Sequence, residues 1–218
     1  MFRDVNLLRV SKHSIYLTIN IMKSTLKISA LVVAFAGFAF GAKAQTTSSA
    51  SNSTSSNGVI LSVGVDAGIP TGNLSNGYNW NIGGSVQADF PVLPQLFVTL
   101  NAGYNSIQGK DNAFGTGLSA TNIQLLPVKA GLKFFPVSHF YIQGEAGAAF
   151  ALNKSDVGFS NGEAFIYAPQ VGYQFPLGGK SFIDAGVRYE GSTDFTSNNS
   201  NTQVNFFALR LAYAFGTK

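Results

Sequence analysis

His139 is the only histidine in residues 45–218, and Ser138 stands beside it. A serine next to an imidazole is the raw material of nucleophilic catalysis, in which the base takes the hydroxyl proton. Residues 135–139 read as a short turn, however, and a surface hydrolase or acyltransferase needs its base at the rim that meets substrate. His139 therefore reads as an exposed turn residue. Gly178-Gly179-Lys180-Ser181 has the tail of a phosphate-binding loop. A complete loop has glycine where this chain has Gln174, and a helix after the serine. Residues 182–189 alternate like a strand, so the segment is a hairpin turn. The acids Asp111, Asp156, Glu163 and Asp194 are spread over three loops and lack the spacing of a calcium loop. No cysteine is present, and a lone histidine makes no ordinary transition-metal site. The expectation is a chain with no catalytic residues, no metal site and no cofactor.

Nine charged residues lie on the polar side of alternating segments: Asp66, Asp89, Lys129, Lys133, Glu145, Asp184, Arg188, Glu190 and Arg210. Five acids face four bases. Charges taken out of water need partners, so these nine are expected to form a charge network inside a barrel. Two pairs stand out. A turn centred near Val137 makes opposite residues sum to about 274, which pairs Lys129 with Glu145. Asp184 and Arg210 fall at similar depth on neighbouring segments.

The elements that must position these groups are strands. Val59, Leu61, Val63, Val65, Ala67 and Ile69 alternate with Ser62, Gly64, Asp66 and Gly68. Period two marks a half-buried strand, and it recurs in eight segments. The second opposes Tyr78, Trp80, Ile82 and Val86 to Asn79, Asn81, Ser85 and Gln87. The last opposes Phe207, Leu209, Leu211, Tyr213 and Phe215 to Ala208, Arg210, Ala212 and Ala214. In the fourth, Ile123 and Leu125 break parity with Leu126, Val128 and Ala130, which predicts a bulge near 124–127. No stretch after residue 58 carries a helical period. Connections at 91–95, 135–139 and 175–180 are short and contain proline. Those at 72–77, 106–120, 152–163 and 191–202 are mostly longer and rich in Gly, Asn, Ser and Asp. An even number of antiparallel strands, with tight turns at one end and long loops at the other, predicts an all-β, eight-stranded, antiparallel up-and-down transmembrane β-barrel.

A soluble periplasmic barrel holding an apolar ligand would alternate too, with the apolar face inside. Two features favour the membrane. The polar face is mostly Gly, Ser, Asn and Gln, whereas a soluble exterior carries more Lys and Glu. Aromatic residues gather at segment ends (Tyr78, Trp80, Phe90, Phe134, Phe140, Phe165, Phe175, Tyr189 and Phe215), as in interfacial girdles.

Residues 1–44 carry six bases and one acid, a net of +5, while residues 45–218 carry −1. The basic character is a property of the N-terminal segment, and no nucleic-acid surface follows from it. Met22-Lys23-Ser24-Thr25-Leu26-Lys27 is a basic start, 28–41 has no charge, and Ala42-Lys43-Ala44 is an A-x-A cleavage signal. Residues 22–44 are therefore expected to be a signal peptide and 1–21 an over-extended start. Residues 45–58, rich in Ser, Thr and Asn, read as a flexible tail, and 59–218 as the barrel.

With its A-K-A signal end, its proline turns, the segment Leu125-Leu126-Pro127-Val128-Lys129-Ala130-Gly131-Leu132-Lys133-Phe134 and the closing Leu209-Arg210-Leu211-Ala212-Tyr213-Ala214-Phe215-Gly216, the domain resembles the small, porin-like outer-membrane β-barrel family of Gram-negative bacteria. The resemblance implies an outer-membrane location, contact with outer-membrane lipid and the barrel-insertion machinery, and no catalytic signature. The C-terminus departs from the usual ending, because Gly216-Thr217-Lys218 follows Phe215. The reading is a non-enzymatic barrel with a side-chain-filled lumen, structural or acting through its outer loops on an extracellular or periplasmic partner. The alternatives are a rim-located lipid or peptide hydrolase or acyltransferase and the soluble periplasmic barrel binding an apolar ligand.

Overall fold

A computed structural model describes residues 58–113, 117–196 and 202–217. The expectations for a signal peptide at 22–44 and an extension at 1–21 lie outside the described residues, as does the tail up to residue 57.

Eight strands form, one for each alternating segment: β1 (Ile60–Pro70), β2 (Tyr78–Leu93), β3 (Leu96–Gly109), β4 (Ile123–Val137), β5 (Phe140–Ala151), β6 (Glu163–Gly178), β7 (Ser181–Ser192) and β8 (Phe206–Gly216). Each pairs antiparallel with the next, and β8 pairs with β1 to close the barrel. Closure satisfies the backbone groups that an open sheet leaves on its edges, which a lipid environment requires. The single helix among the described residues is one turn, α1 (Leu74–Gly77), in the β1–β2 loop. It is too short to show as a period in the sequence.

The alternating faces sort as outside and inside. Val63, Val65 and Ile69 of β1 are exposed, while Ser62 and Asp66 are buried. Ile142, Phe165, Tyr167, Val171, Leu209 and Leu211 are likewise exposed. This corrects the soluble-barrel alternative, which needs those residues in the interior. Exposed aromatics form two rings. Trp80, Phe165, Tyr167 and Phe207 lie toward the long loops, and Phe134, Tyr173, Phe175, Tyr213 and Phe215 toward the short turns. Trp80 and Phe90 are ten residues apart, as are Phe165 and Phe175. Ten residues at about 3.4 Å each, tilted about 40°, rise about 26 Å, close to the roughly 25 Å apolar band of a membrane barrel.

Several local expectations need correction. No bulge lies at 124–127. The β3–β4 register runs unbroken in offset from Leu96↔Phe134 to Ile107↔Ile123. Ile123 and Leu125 keep their parity, face inward and are buried. β3 runs on to Gly109, so the third loop begins later than residue 106. Tyr78 is not in the outer girdle. A register shift between Tyr78 and Trp80 turns it inward, where it packs on a buried apolar cluster. The two-residue turns fall at 94–95, 138–139 and 179–180. Gly178 and Gly179 have φ of +110° and +59°, a region that disfavours side chains. That need for glycine explains the Gly-Gly-Lys-Ser run without any phosphate.

Candidate functional site

The interior is built in three layers. At the short-turn end Ile60, Phe97, Phe182 and Ala214 form a buried cluster, with Phe135 packed against it. Phe97 and Phe135 meet edge to face at 5.5 Å. At the long-loop end Leu74, Ile107, Ile123, Leu125, Ile166 and Phe206 form a larger one. Two loop residues, Phe195 and Val204, drop into it, and Phe159 stacks on Phe195 at 4.6 Å. Between these apolar layers lie all nine charged residues, each at most 4% exposed.

The nine charges divide into two groups. In the first, Lys133 Nζ sits 2.7 Å from Asp89 Oδ2 and 3.4 Å from Asp184 Oδ2. Neutral donors complete both acids. Gln87 Nε2 donates to Asp89 Oδ1 at 2.6 Å, Tyr141 Oη to Asp184 Oδ1 at 2.6 Å and Gln174 Nε2 to Asp184 Oδ2 at 3.1 Å. The ammonium also stands 4.5 Å from the centre of the Tyr141 ring, within cation–π range. The group is one cation against two acids.

In the second group, Lys129 Nζ is 2.6 Å from Glu190 and 3.7 Å from Glu145. Arg188 reaches Asp66 at 2.8 Å and Glu190 at 3.8 Å, and Arg210 lies 3.7 Å from Asp66. Arg210 also donates to the hydroxyls of Ser85 and Ser62. Ser85 in turn donates to Asp66 at 2.9 Å, and Thr99 to Glu145 at 3.1 Å. Three cations balance three acids. Glu145 Oε2, Arg188 Nε and Arg188 Nη1 make no hydrogen bond.

The two anticipated pairs fare differently. Lys129 and Glu145 lie two residues out of register, since Lys129 faces Gly147 and Gly131 faces Glu145. The long side chain crosses that diagonal, yet its short contact is with Glu190. Asp184 and Arg210 make no ion pair. Arg210 stands opposite Gly186 on β7 and directly opposite Asp66 on β1. The acid that neutralises it comes from the closing seam.

Sequence reasoning missed the part played by Tyr141. Its ring lies where a Cβ on Gly172 would stand, and its hydroxyl oxygen is 2.8 Å from the Cβ position of Gly186. Gly172 is its direct cross-strand partner. A large inward aromatic facing a glycine is a readable signal, because the missing side chain opens the room the ring fills. His139 sits in the turn between β4 and β5 at φ +68°, its ring stacked on Tyr173 at 5.9 Å. It is at the end opposite the long loops.

The chain matches the family described as "Outer membrane protein beta-barrel domain" over residues 24–215. Among solved structures it is similar to outer membrane protein AlkL, with 16% identity, a TM-score of 0.50, and coverage of 80% of this chain and 97% of that one. Ail, the attachment invasion locus protein of Yersinia pestis, aligns at 18% identity and TM-score 0.45, covering 73% and 99%. The outer membrane protein OprG from Pseudomonas aeruginosa aligns at 13% and 0.47, covering 74% and 98%. No curated protein matches. At these identities the solved structures speak to fold alone. The family match spans most of the chain, and with the closed eight-stranded barrel and its apolar exterior it places this protein in the outer membrane protein β-barrel domain family.

Proposed function

We propose that this protein is a non-enzymatic outer-membrane barrel, closed to solutes, that acts structurally or through its long loops at the cell surface. The observation that carries the reading is the layered interior. A polar centre with nine buried charges lies between two buried apolar clusters. An ion following the barrel axis would have to shed its hydration twice, at each apolar layer, and displace ion pairs in between. An eight-stranded barrel is also only wide enough for its own side chains.

The long-loop face is the one with charges of both signs. It carries Lys110 and Lys154 against Asp111, Asp156, Glu163 and Asp194. Both termini of the barrel lie at the short-turn end, which in this reading faces the periplasm, with the signal at 22–44 removed before Gln45. The hydrolase alternative gains no support, since His139 and Ser138 lie on the opposite rim from those loops. Planar-bilayer recording of the refolded protein tests the proposal. Silence at moderate voltage is the expected result, and reproducible open-channel steps would overturn it.

A further inference from the structure

The short turns repeat a pattern. β2 ends in Phe90-Pro91-Val92, β4 in Phe135-Pro136-Val137 and β6 in Phe175-Pro176-Leu177. The ladder slips at the same place in all three. Register shifts fall between Pro91 and Leu93, between Phe134 and Val137, and between Pro176 and Gly178. Each slip inserts one extra residue on the even strand. Proline lacks the amide proton that a regular ladder uses, so it is housed at bulges.

The bulges leave aliphatic side chains standing out at the rim. Val92 is 52% exposed, Leu93 61%, Val137 61% and Leu177 58%. They lie two or three residues past Phe90, which is half-buried, and past Phe134 and Phe175 of the exposed aromatic ring. Two residues of tilted strand amount to about 5 Å, the depth of the headgroup layer beyond the apolar band. Leu177 shares the outward parity of Phe165 through Phe175, so the lipid-facing surface runs into it without a break. The charges of this rim also differ from those of the other. Residues 91–97, 135–140, 175–182 and 215–217 contain no acid, and Lys180 and His139 are their two basic residues.

We propose that the short-turn rim is a lipid-interface anchor. Val92, Leu93, Val137 and Leu177 enter the headgroup and upper acyl region of the adjacent leaflet, Lys180 meets the lipid phosphates, and together they set the depth of the barrel. Continuity with the apolar wall and the absence of acids favour lipid over a protein partner. The inference rests on the membrane-spanning reading but not on the lumen being sealed.

The chain has one tryptophan, Trp80, at the other aromatic ring. Trp80→Phe therefore gives a dark background in which Leu177→Trp and Val137→Trp, made separately, report on the rim. The full barrel is reconstituted in vesicles of phosphatidylcholine with phosphatidylglycerol, with and without lipid brominated near the headgroup end. The expected result is blue-shifted emission, loss of most fluorescence to the brominated lipid and weak quenching by aqueous acrylamide. Red emission with full acrylamide quenching would overturn the anchor and leave these tips free for a soluble protein. Adding Lys180→Gln is expected to abolish any gain in quenching that phosphatidylglycerol brings, and an unchanged gain would remove Lys180 from the proposal. Brominated lipid occupies both leaflets, so the direction of insertion does not affect the readout. Unquenched Trp80 in the parent protein would overturn the membrane reading itself, and the anchor with it.

Discussion

The two buried ionic groups satisfy different requirements. The Lys133 group carries an extra negative charge, but all four carboxylate oxygens of Asp89 and Asp184 are hydrogen-bonded. The Lys129–Arg188–Arg210 group is balanced in charge and leaves atoms of Glu145 and Arg188 without hydrogen bonds. Charge neutrality and hydrogen-bond satisfaction are thus separate conditions, and a barrel core can meet them in different places. Where charge is in excess, neutral donors such as Tyr141 and the glutamines make up the difference. Where charge balances, geometry can be looser, because Lys129, Arg188, Glu190 and Asp66 each have two opposite neighbours.

The sharpest way to break this contrast is to remove the lone cation. Lys133→Ala leaves two buried acids with no counter-ion and should cost about 3–5 kcal/mol, read as a fall in the urea midpoint of unfolding from lipid vesicles. A second change, Asp184→Asn, should recover part of that loss. Lys129→Ala should cost less, about 3 kcal/mol, because Glu190 keeps Arg188 and Glu145 keeps Thr99. A double-mutant cycle should then show stronger coupling of Lys129 to Glu190 than to Glu145. If Lys129→Ala proved the costlier of the two lysine changes, the charge excess would not be what sets the ranking.

Smaller effects refine the picture. Tyr141→Phe removes a donor to Asp184 and an acceptor for Gln170, and should cost about 2 kcal/mol with the fold intact by circular dichroism. Glu145→Gln should cost under about 1 kcal/mol, since only one oxygen is hydrogen-bonded, the other lies 3.7 Å from Lys129, and that lysine is closer to Glu190. A loss as large as that for Tyr141→Phe would show that the apparent slack at Glu145 is filled in the membrane-embedded protein.

Strand count, order and facing were legible because a two-residue period survives errors of register. The clearest case is β4–β5. The sequence places the turn near Val137, whereas the turn residues are 138–139 and a bulge lies between Phe134 and Val137. Moving a turn centre by one residue shifts every pairing by two. Lys129 and Glu145 therefore remain inside but become diagonal neighbours. The partner of Arg210 was hidden for another reason. Asp66 is 144 residues away, and only closure brings the two together. The apolar layers were misread because the rule of apolar outside and polar inside holds only along the middle of the wall. Near the loops Ile107, Ile123, Leu125 and Ile166 face inward and cover the polar core. The parity of Ile123 and Leu125 is visible in the sequence, and without the closed geometry it reads as a slipped strand.

Seven of the eight seams in this wall join neighbours along the chain, and each can zip as soon as its hairpin exists. The eighth joins β1 to β8 from Ile60↔Gly216 to Pro70↔Phe206, and it cannot begin until the last strand has been made. Its loop-closure entropy falls due in a single step, and until then two unpaired edges face either water or lipid. Assembly therefore has a natural checkpoint at its end. A chain cut short before Phe206 retains the local signals of the strands it still has, yet has no closing partner for its first strand and no acid–base contact at Asp66–Arg210. Completeness of the chain is thus written into the topology, through the one seam that joins β1 to β8.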